Sequence, residues 1–237
     1  MLRIIGHRGS HSPIGGPVEN TLEAFEKAIV EGADWIELDV WRTRDEALVV
    51  YHDARLPGAE RDLAASTGAE VQAHRFPGGA HVPTLAEALE LARGRVRVNV
   101  EIKHGEALTR TLATIRALGA ERMCVLSSFV HRAIFEAADL GSSVERALIM
   151  GVDDPSPCLS VRQAWPFWAL ERAEARYWHT HARLVGPGHA AALAGLGIET
   201  QVWTVNSPVQ AQALAALGVA GVFTDHPGAL RRALEVG

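Results

Sequence analysis

The chain has 237 residues, 48% of them hydrophobic and 22% charged, with a formal net charge of −5, the profile of a soluble globular protein of a size that α/β barrels reach undivided. That charge, with no basic cluster or tail, leaves no electrostatic footprint for nucleic acid. Two cysteines exclude a disulfide framework, and no apolar run approaches the roughly 18 residues of a membrane span. "MLRIIGHRG" is too short a start for a signal peptide, so a cytoplasmic protein without stable membrane association is expected.

In chain order, short β-branched runs alternate with Ala/Leu-rich stretches of helical period, the signature of βα units and a parallel sheet. "LRIIG" (2–6) opens the series and ends in "GHRG", which sets His7 and Arg8 at a strand's C-terminal tip. A helix over 21–31 follows, with Asn20 as its expected N-cap and Glu23 three residues on. "DWIELDV" (34–40) is the second strand, and "ALVVYHD" follows it too closely to be parallel, so it reads as the return of a hairpin that brings back His52. Residues 53–82, rich in Gly, Pro and charge, form a long loop or small excursion; then Thr84 and Glu87 cap a helix over 84–93. Further strands are expected at 95–102, 122–128, 144–150, 175–180, 199–205 and 220–225, with helices at 105–118, 131–139, 160–173, 187–196, 207–217 and 227–235. Eight strand–helix units make a (β/α)8 TIM barrel with a short insertion after strand 2, and 1–237 reads as one domain.

Strand 2 carries the chemistry. Glu37 and Asp39 alternate with Ile36, Leu38 and Val40, so both carboxylates face one way, roughly 6–7 Å apart. In "VRVNVEIK" the residues Arg97, Asn99, Glu101 and Lys103 share the face opposite the valines, which puts Glu101 and Lys103 beside strand 2 at the mouth. Three hard oxygen donors without a thiol suit Mg2+ or Ca2+; an internal salt-bridge network with Lys103 and Arg8 is the alternative. Two imidazoles, an Arg fork and a carboxylate-bound cation suit acid–base cleavage of a phosphate ester. Ser128 with His131 lacks the G-x-S-x-G elbow of a nucleophilic serine, and Cys124 and Cys158 read as buried thiols.

The run "GHRG…ENTLEAFEKAIVEGADWIELDVWRTRDEALVVYHD…VPTLAEALE…NVEIK…SSF…VWTVN…GVFTDHP" resembles the glycerophosphodiester phosphodiesterase family, of the phospholipase C-like phosphodiesterase superfamily. The matches run in order from residue 6 to 227 and are densest over 6–53, where HRG, ENT, IELDV and HD together are specific. The resemblance implies a TIM barrel with an insertion after strand 2, in agreement with the strand count. It implies Glu37, Asp39 and Glu101 as ligands of one divalent cation, Mg2+ or Ca2+ with Mn2+ as a further candidate. It also implies His7 and His52 as the acid–base pair, Arg8 and Lys103 on the phosphate, and Trp203 against the glycerol end. Glu19 and Asn20 match the motif pair that stands behind the mouth, and Asp225 with Pro227 reads chiefly as a helix cap and first-turn proline. Three departures bear on the alcohol pocket: Val18 interrupts the usual PENT, "ARLPGAERDLAAST" replaces the arginine–threonine run after HD, and the insertion is short.

The expected activity is hydrolysis of small-molecule glycerophosphodiesters to sn-glycerol 3-phosphate and an alcohol. The alternatives are a lysophospholipase D or sphingomyelinase D-like phosphodiesterase with the same cation site, and a non-catalytic barrel binding phosphate esters. An amidohydrolase-like reading would instead place a metal on the H-x-H of His179 and His181. No feature of the sequence speaks to oligomeric state.

Overall fold

A computed structural model of the chain describes residues 1–152 and 166–235. Its strands are β1 (Arg3–Gly6), β2 (Trp35–Arg42), β3 (Leu48–Val50), β4 (Arg97–Ile102), β5 (Cys124–Ser128), β6 (Glu145–Met150), β7 (Tyr177–His181), β8 (Glu199–Trp203) and β9 (Gly221–Thr224). The helices are α1 (Leu22–Val30), α2 (Gly68–Gln72), α3 (Leu85–Ala92), α4 (Leu108–Ala117), α5 (His131–Asp139), α6 (Phe167–Arg172), α7 (His189–Gly195), α8 (Pro208–Ala216) and α9 (Pro227–Glu235). The sheet runs β1-β9-β8-β7-β6-β5-β4-β2, and β1 pairs back onto β2, which closes a barrel of eight parallel strands. The ninth strand, β3, hangs antiparallel on β2 in the register Val40↔Val50, as the hairpin reading requires. The expected helix over 160–173 is seen as α6 from Phe167; its first residues, and Cys158, lie outside the described residues.

Period-two alternation builds both surfaces of the barrel. The outward residues Ile36, Leu38, Val40, Val98, Val100 and Ile102 are fully buried against Phe25, Leu85, Leu89 and Ile115 of the surrounding helices. Inside, Ile5, Trp35, Val125, Ala147, Tyr177 and Phe223 form an apolar plug across the middle of the barrel. Truncating a fully buried core leucine such as Leu38 to Ala costs about 2–5 kcal/mol in lost transfer energy and cavity. Ser128 is committed to the backbone: its Oγ donates to the Ile102 carbonyl at 2.6 Å and accepts from the Val130 N–H.

One local expectation is corrected and one left open is decided. Asn20 does not cap α1; Thr21 does, accepting from the Ala24 N–H, while Asn20 takes a left-handed φ of 57° that turns its carboxamide toward β2. Of the two forms expected for residues 53–82, a long loop or a small excursion, the structure has the excursion. These residues contain a 3-10 turn (Leu63–Ala65) and α2, closed by a reciprocal Thr67–Glu70 capping box, and Leu56, Leu63, Val71, Phe76 and Val82 pack with Val49 and Tyr51 in a small core of their own.

Candidate active site

The mouth of the barrel is assembled from the ends of β1, β2, β4, β8 and β9. His7 follows β1, and its backbone N–H donates to the Thr224 carbonyl. Arg8 then takes a positive φ of 55° so that its backbone N–H reaches the Glu37 carboxylate at 2.8 Å. Gly9 is obligatory in this turn: at φ 88° a Cβ would stand 2.6 Å from the Ala24 carbonyl carbon of α1. The Arg8 guanidinium donates to Glu19 at 2.9 Å, and its Nε stands 3.4 Å from Asp39 Oδ2.

Glu37, Asp39 and Glu101 are buried, 3%, 1% and 9% exposed, and one oxygen of each lies within 4.8 Å of the others. The β2–β4 register, Glu37↔Asn99 and Asp39↔Glu101, makes them neighbours. Lys103 Nζ bridges Glu101 at 2.8 Å and Asp39 at 3.2 Å. Asn20 donates from Nδ2 to Asp39 Oδ2 at 2.8 Å and accepts the Asp39 N–H, which fixes that carboxylate from behind.

Three carboxylates therefore face two cations. Burial first, then repulsion from Asp39, raises the Glu101 carboxyl to about 7 despite Lys103, and burial, Asp39 and Glu101 raise Glu37 well above its ordinary value despite Arg8. Burial works against Arg8 and Lys103 too, yet the surrounding carboxylates hold both above their ordinary values. The surplus of negative charge and the all-oxygen donor set fit a hard divalent cation.

His7 and His52 are each anchored through Nδ1 to a carboxylate at 2.7 Å, Asp225 for His7 and Asp53 for His52. Asp225 was expected chiefly as a helix cap. Instead it joins His7 to His11, whose Nε2 stands 3.3 Å from the same oxygen, and to Asn206, whose amide donates to its second oxygen. Burial would raise this carboxyl, but the His11 and His7 imidazoles and the Asn206 amide hold it well below the usual carboxylate range.

One cavity of about 200 Å³ is lined by His7, Arg8, Glu37, His52, Glu101, Lys103 and Trp203, with Asn99, Phe129, Ile149, Thr204, Phe223 and His179 completing its wall and floor. Asp39 stands beside Glu37 and Glu101, and Glu19 and Asn20 stand behind Arg8 and Asp39. Trp203 closes one side, its ring edge-on to Phe129 at 5.6 Å. His179 and His181 belong to neither trio of ligand-competent side chains among the described residues, which are Glu37, Asp39, Glu101 and His7, His11, Asp225. His181 Nδ1 instead accepts the Arg183 N–H. His11, Asn206 and Phe129 were assigned no role in the sequence, Asn99 was placed only on the inward face of its strand, and Asp225 was read as a helix cap; for Asp225 the available signal was its place just past the C-terminal end of a barrel strand, two residues beyond the inward-facing Phe223.

A model of the glycerophosphoryl diester phosphodiesterase family matches residues 7–229. A glycerophosphodiester phosphodiesterase of Bacillus altitudinis is 32% identical, covering 96% of each chain. The crystal structure of a glycerophosphodiester phosphodiesterase from Thermotoga maritima superposes with a TM-score of 0.80 at 25% identity, over 98% of each chain. An Oleispira antarctica phosphodiesterase, in complex with the product sn-glycerol-3-phosphate, shares the fold at a TM-score of 0.84 and 22% identity, over 99% of this chain and 97% of that one. The eight-stranded barrel with a carboxylate trio and anchored histidines at its mouth, matched along nearly its whole length, thus belongs to the glycerophosphoryl diester phosphodiesterase family.

Proposed function

We propose that the protein hydrolyses glycerophosphodiesters to sn-glycerol 3-phosphate and an alcohol, with one divalent cation held by Glu37, Asp39 and Glu101 and with His7 and His52 exchanging the protons. The observation that carries this reading is the cavity itself, where two carboxylate-anchored imidazoles, two cations and a surplus carboxylate trio meet. A divalent cation, when bound, supplies Lewis-acid polarisation of the phosphoryl oxygens and neutralises charge that builds on them.

The chain's own groups do the rest. Arg8, fixed by Glu19, and Lys103, fixed by Asp39 and Glu101, orient the phosphate by charge-assisted hydrogen bonds. With Nδ1 of each histidine engaged by an aspartate, Nε2 is left to meet substrate. One imidazole accepts the proton of the attacking hydroxyl and the other protonates the departing alkoxide, so each stroke leaves the pair in the complementary protonation state. The closely held phosphate and base convert attack into an effectively intramolecular step.

The deciding experiment is release of glycerol 3-phosphate from glycerophosphocholine and glycerophosphoethanolamine, after EDTA and again with Mg2+, Ca2+ or Mn2+. Release that stops with EDTA and returns with a cation is the expected result. Release indifferent to EDTA removes the cation from the reading, and no release with any cation overturns it.

A further inference from the structure

Beside the carboxylate trio stands a second group of ligand-competent side chains that shares no residue with it: His7, His11 and Asp225, one atom of each within 4.8 Å of the others. The loop after β1 and the end of β9 hold it together. His11 is tied to Asp225 twice, its backbone N–H donating to the Asp225 carbonyl and its Nε2 standing 3.3 Å from Asp225 Oδ1. His7 Nδ1 meets the same oxygen at 2.7 Å. Asn206 donates to the other oxygen at 2.7 Å and accepts the Asp225 N–H, so the carboxylate is oriented and presents Oδ1 to both rings. The proton transfers need His7 and its anchor Asp225; a second imidazole on the same oxygen is more than they require.

The donor set differs in kind from that of the neighbouring trio. Two imidazole nitrogens and one carboxylate oxygen suit borderline cations such as Zn2+ and Co2+, whereas Mg2+ and Ca2+ prefer oxygen alone. Ligand atoms about 2.0–2.1 Å from a tetrahedral centre lie about 3.3 Å from one another. His11 Nε2 and Asp225 Oδ1 have that spacing already, and His7 Nδ1 has only to draw back from 2.7 Å. Burial works against the Asp225 charge, but the imidazoles and the Asn206 amide keep it ionised, as a ligand must be. The side chains of His7, His11 and Asp225 are 20%, 16% and 22% exposed, which leaves an ion a way in and a coordination position open to water.

We propose that His7, His11 and Asp225 form a second cation site, selective for Zn2+ and similar transition metals over Mg2+ and Ca2+, and that filling it halts turnover. The halt follows from His7. On coordination its Nδ1 proton passes to Nε2 of a neutral ring, or to solvent from a protonated one, and the single proton left on the ring sits at Nε2. That nitrogen then cannot accept the proton of an attacking hydroxyl, and as a neutral N–H it is a poor donor to a leaving alkoxide. Asp225, its charge taken up by the cation, no longer supports an imidazolium. The binding stands by itself, and the halt rests on the phosphodiesterase reading.

The test titrates metal-free protein with Zn2+ in excess Mg2+ by calorimetry, follows Co2+ by its visible absorption, and measures glycerol 3-phosphate release from glycerophosphocholine, for wild type, His11→Gln, Glu101→Gln and the double variant. Wild type is expected to bind Zn2+ with Mg2+ in place and to lose its Mg2+-supported activity as it does so, at an inhibition constant that does not rise with Mg2+. His11→Gln should bind Zn2+ at least about 100-fold more weakly, since an outer-shell partner alone is worth about 10–100-fold, and should keep its own activity at Zn2+ concentrations that stop the wild type. Glu101→Gln, without the all-oxygen site, should still show the Co2+ bands of a nitrogen-ligated site, and the double variant should not. Nitrogen NMR of the imidazole rings needs no variant: Zn2+ should shift His7 Nδ1 and His11 Nε2. Inhibition relieved in proportion to Mg2+ and unaltered in His11→Gln, or ring shifts confined to other histidines, overturns the inference and leaves the phosphodiesterase reading standing. A wild type inert towards substrate with every cation removes that reading and the halt with it, while the Co2+ bands and ring shifts still decide the site.

Discussion

The two ends of the barrel interior are both filled with charged side chains, and they differ in how those charges are matched. At the N-terminal end, Arg97 donates to Glu145 and to the Tyr177 hydroxyl, Tyr177 donates to Glu145, and Arg3 and Arg176 both reach Glu199. Arg3 and Arg97 also lie over the Trp35 ring, 5.7 and 4.6 Å from its centroid. There Arg3 and Arg97 sit above their ordinary values and Glu145 below, each charge made easier by its partners. At the C-terminal end burial, and then repulsion among the carboxylates, raises Glu37 and Glu101 despite Arg8 and Lys103. A charge network with its partners inside the protein is structural. One that holds its carboxylates uncomfortable is built for a partner from outside, and in barrels that difference falls between the stability face and the catalytic face.

The largest effect should come from the mouth. His7→Ala and His52→Ala are each expected to lower kcat by about 10²–10⁴-fold while keeping cation affinity in calorimetry; a near-normal rate in either takes that histidine out of the proton transfers.

Glu101→Gln tests whether the surplus charge is what distinguishes this end. It should abolish cation binding in calorimetry and make the metal-free protein's stability less dependent on pH. In the wild type, Glu101 titrates at its ordinary 4.5 when unfolded and at about 7 when folded without metal. Its folded-state preference for the proton therefore stabilises fully below about 4.5 and is lost as pH rises through about 7. Cation binding must displace that proton, so affinity should climb as pH rises through about 7 and level off above it. A flat affinity profile from pH 5 to 8 would show that Glu101 is not a ligand.

A smaller loss is expected at Asp225→Asn, which keeps the shape but not the charge behind His7: about 10–100-fold in kcat with a modest change in KM and a displaced pH–rate profile. An unchanged pH profile would reduce Asp225 to the helix-start role first expected of it. The smallest effect belongs to the opposite end. Glu145→Gln should change stability by about 1 kcal/mol or less, since the pair is partly exposed, and leave kcat alone. A large loss of activity there would erase the contrast between the two ends.

The eight βα units, the β2–β3 hairpin and the carboxylate trio were legible because each depends on local period. Glu37 and Asp39 at i and i+2, and Glu101 and Lys103 opposite a valine face, state their direction within a few residues of chain. The helix starts were legible only approximately: Asn20 and Thr21 both offer a capping oxygen, and the Asp39 carboxylate brought up by β2 claims Asn20 and leaves the cap to Thr21. Nothing local could join His7 to Asp225, 218 positions apart, because that contact exists only once β9 pairs with β1 and closes the barrel. The same closure buries His179 between Phe223 and Gln201. Alternation along a strand determines which way a side chain faces; what it meets there is decided by the strands that arrive around it.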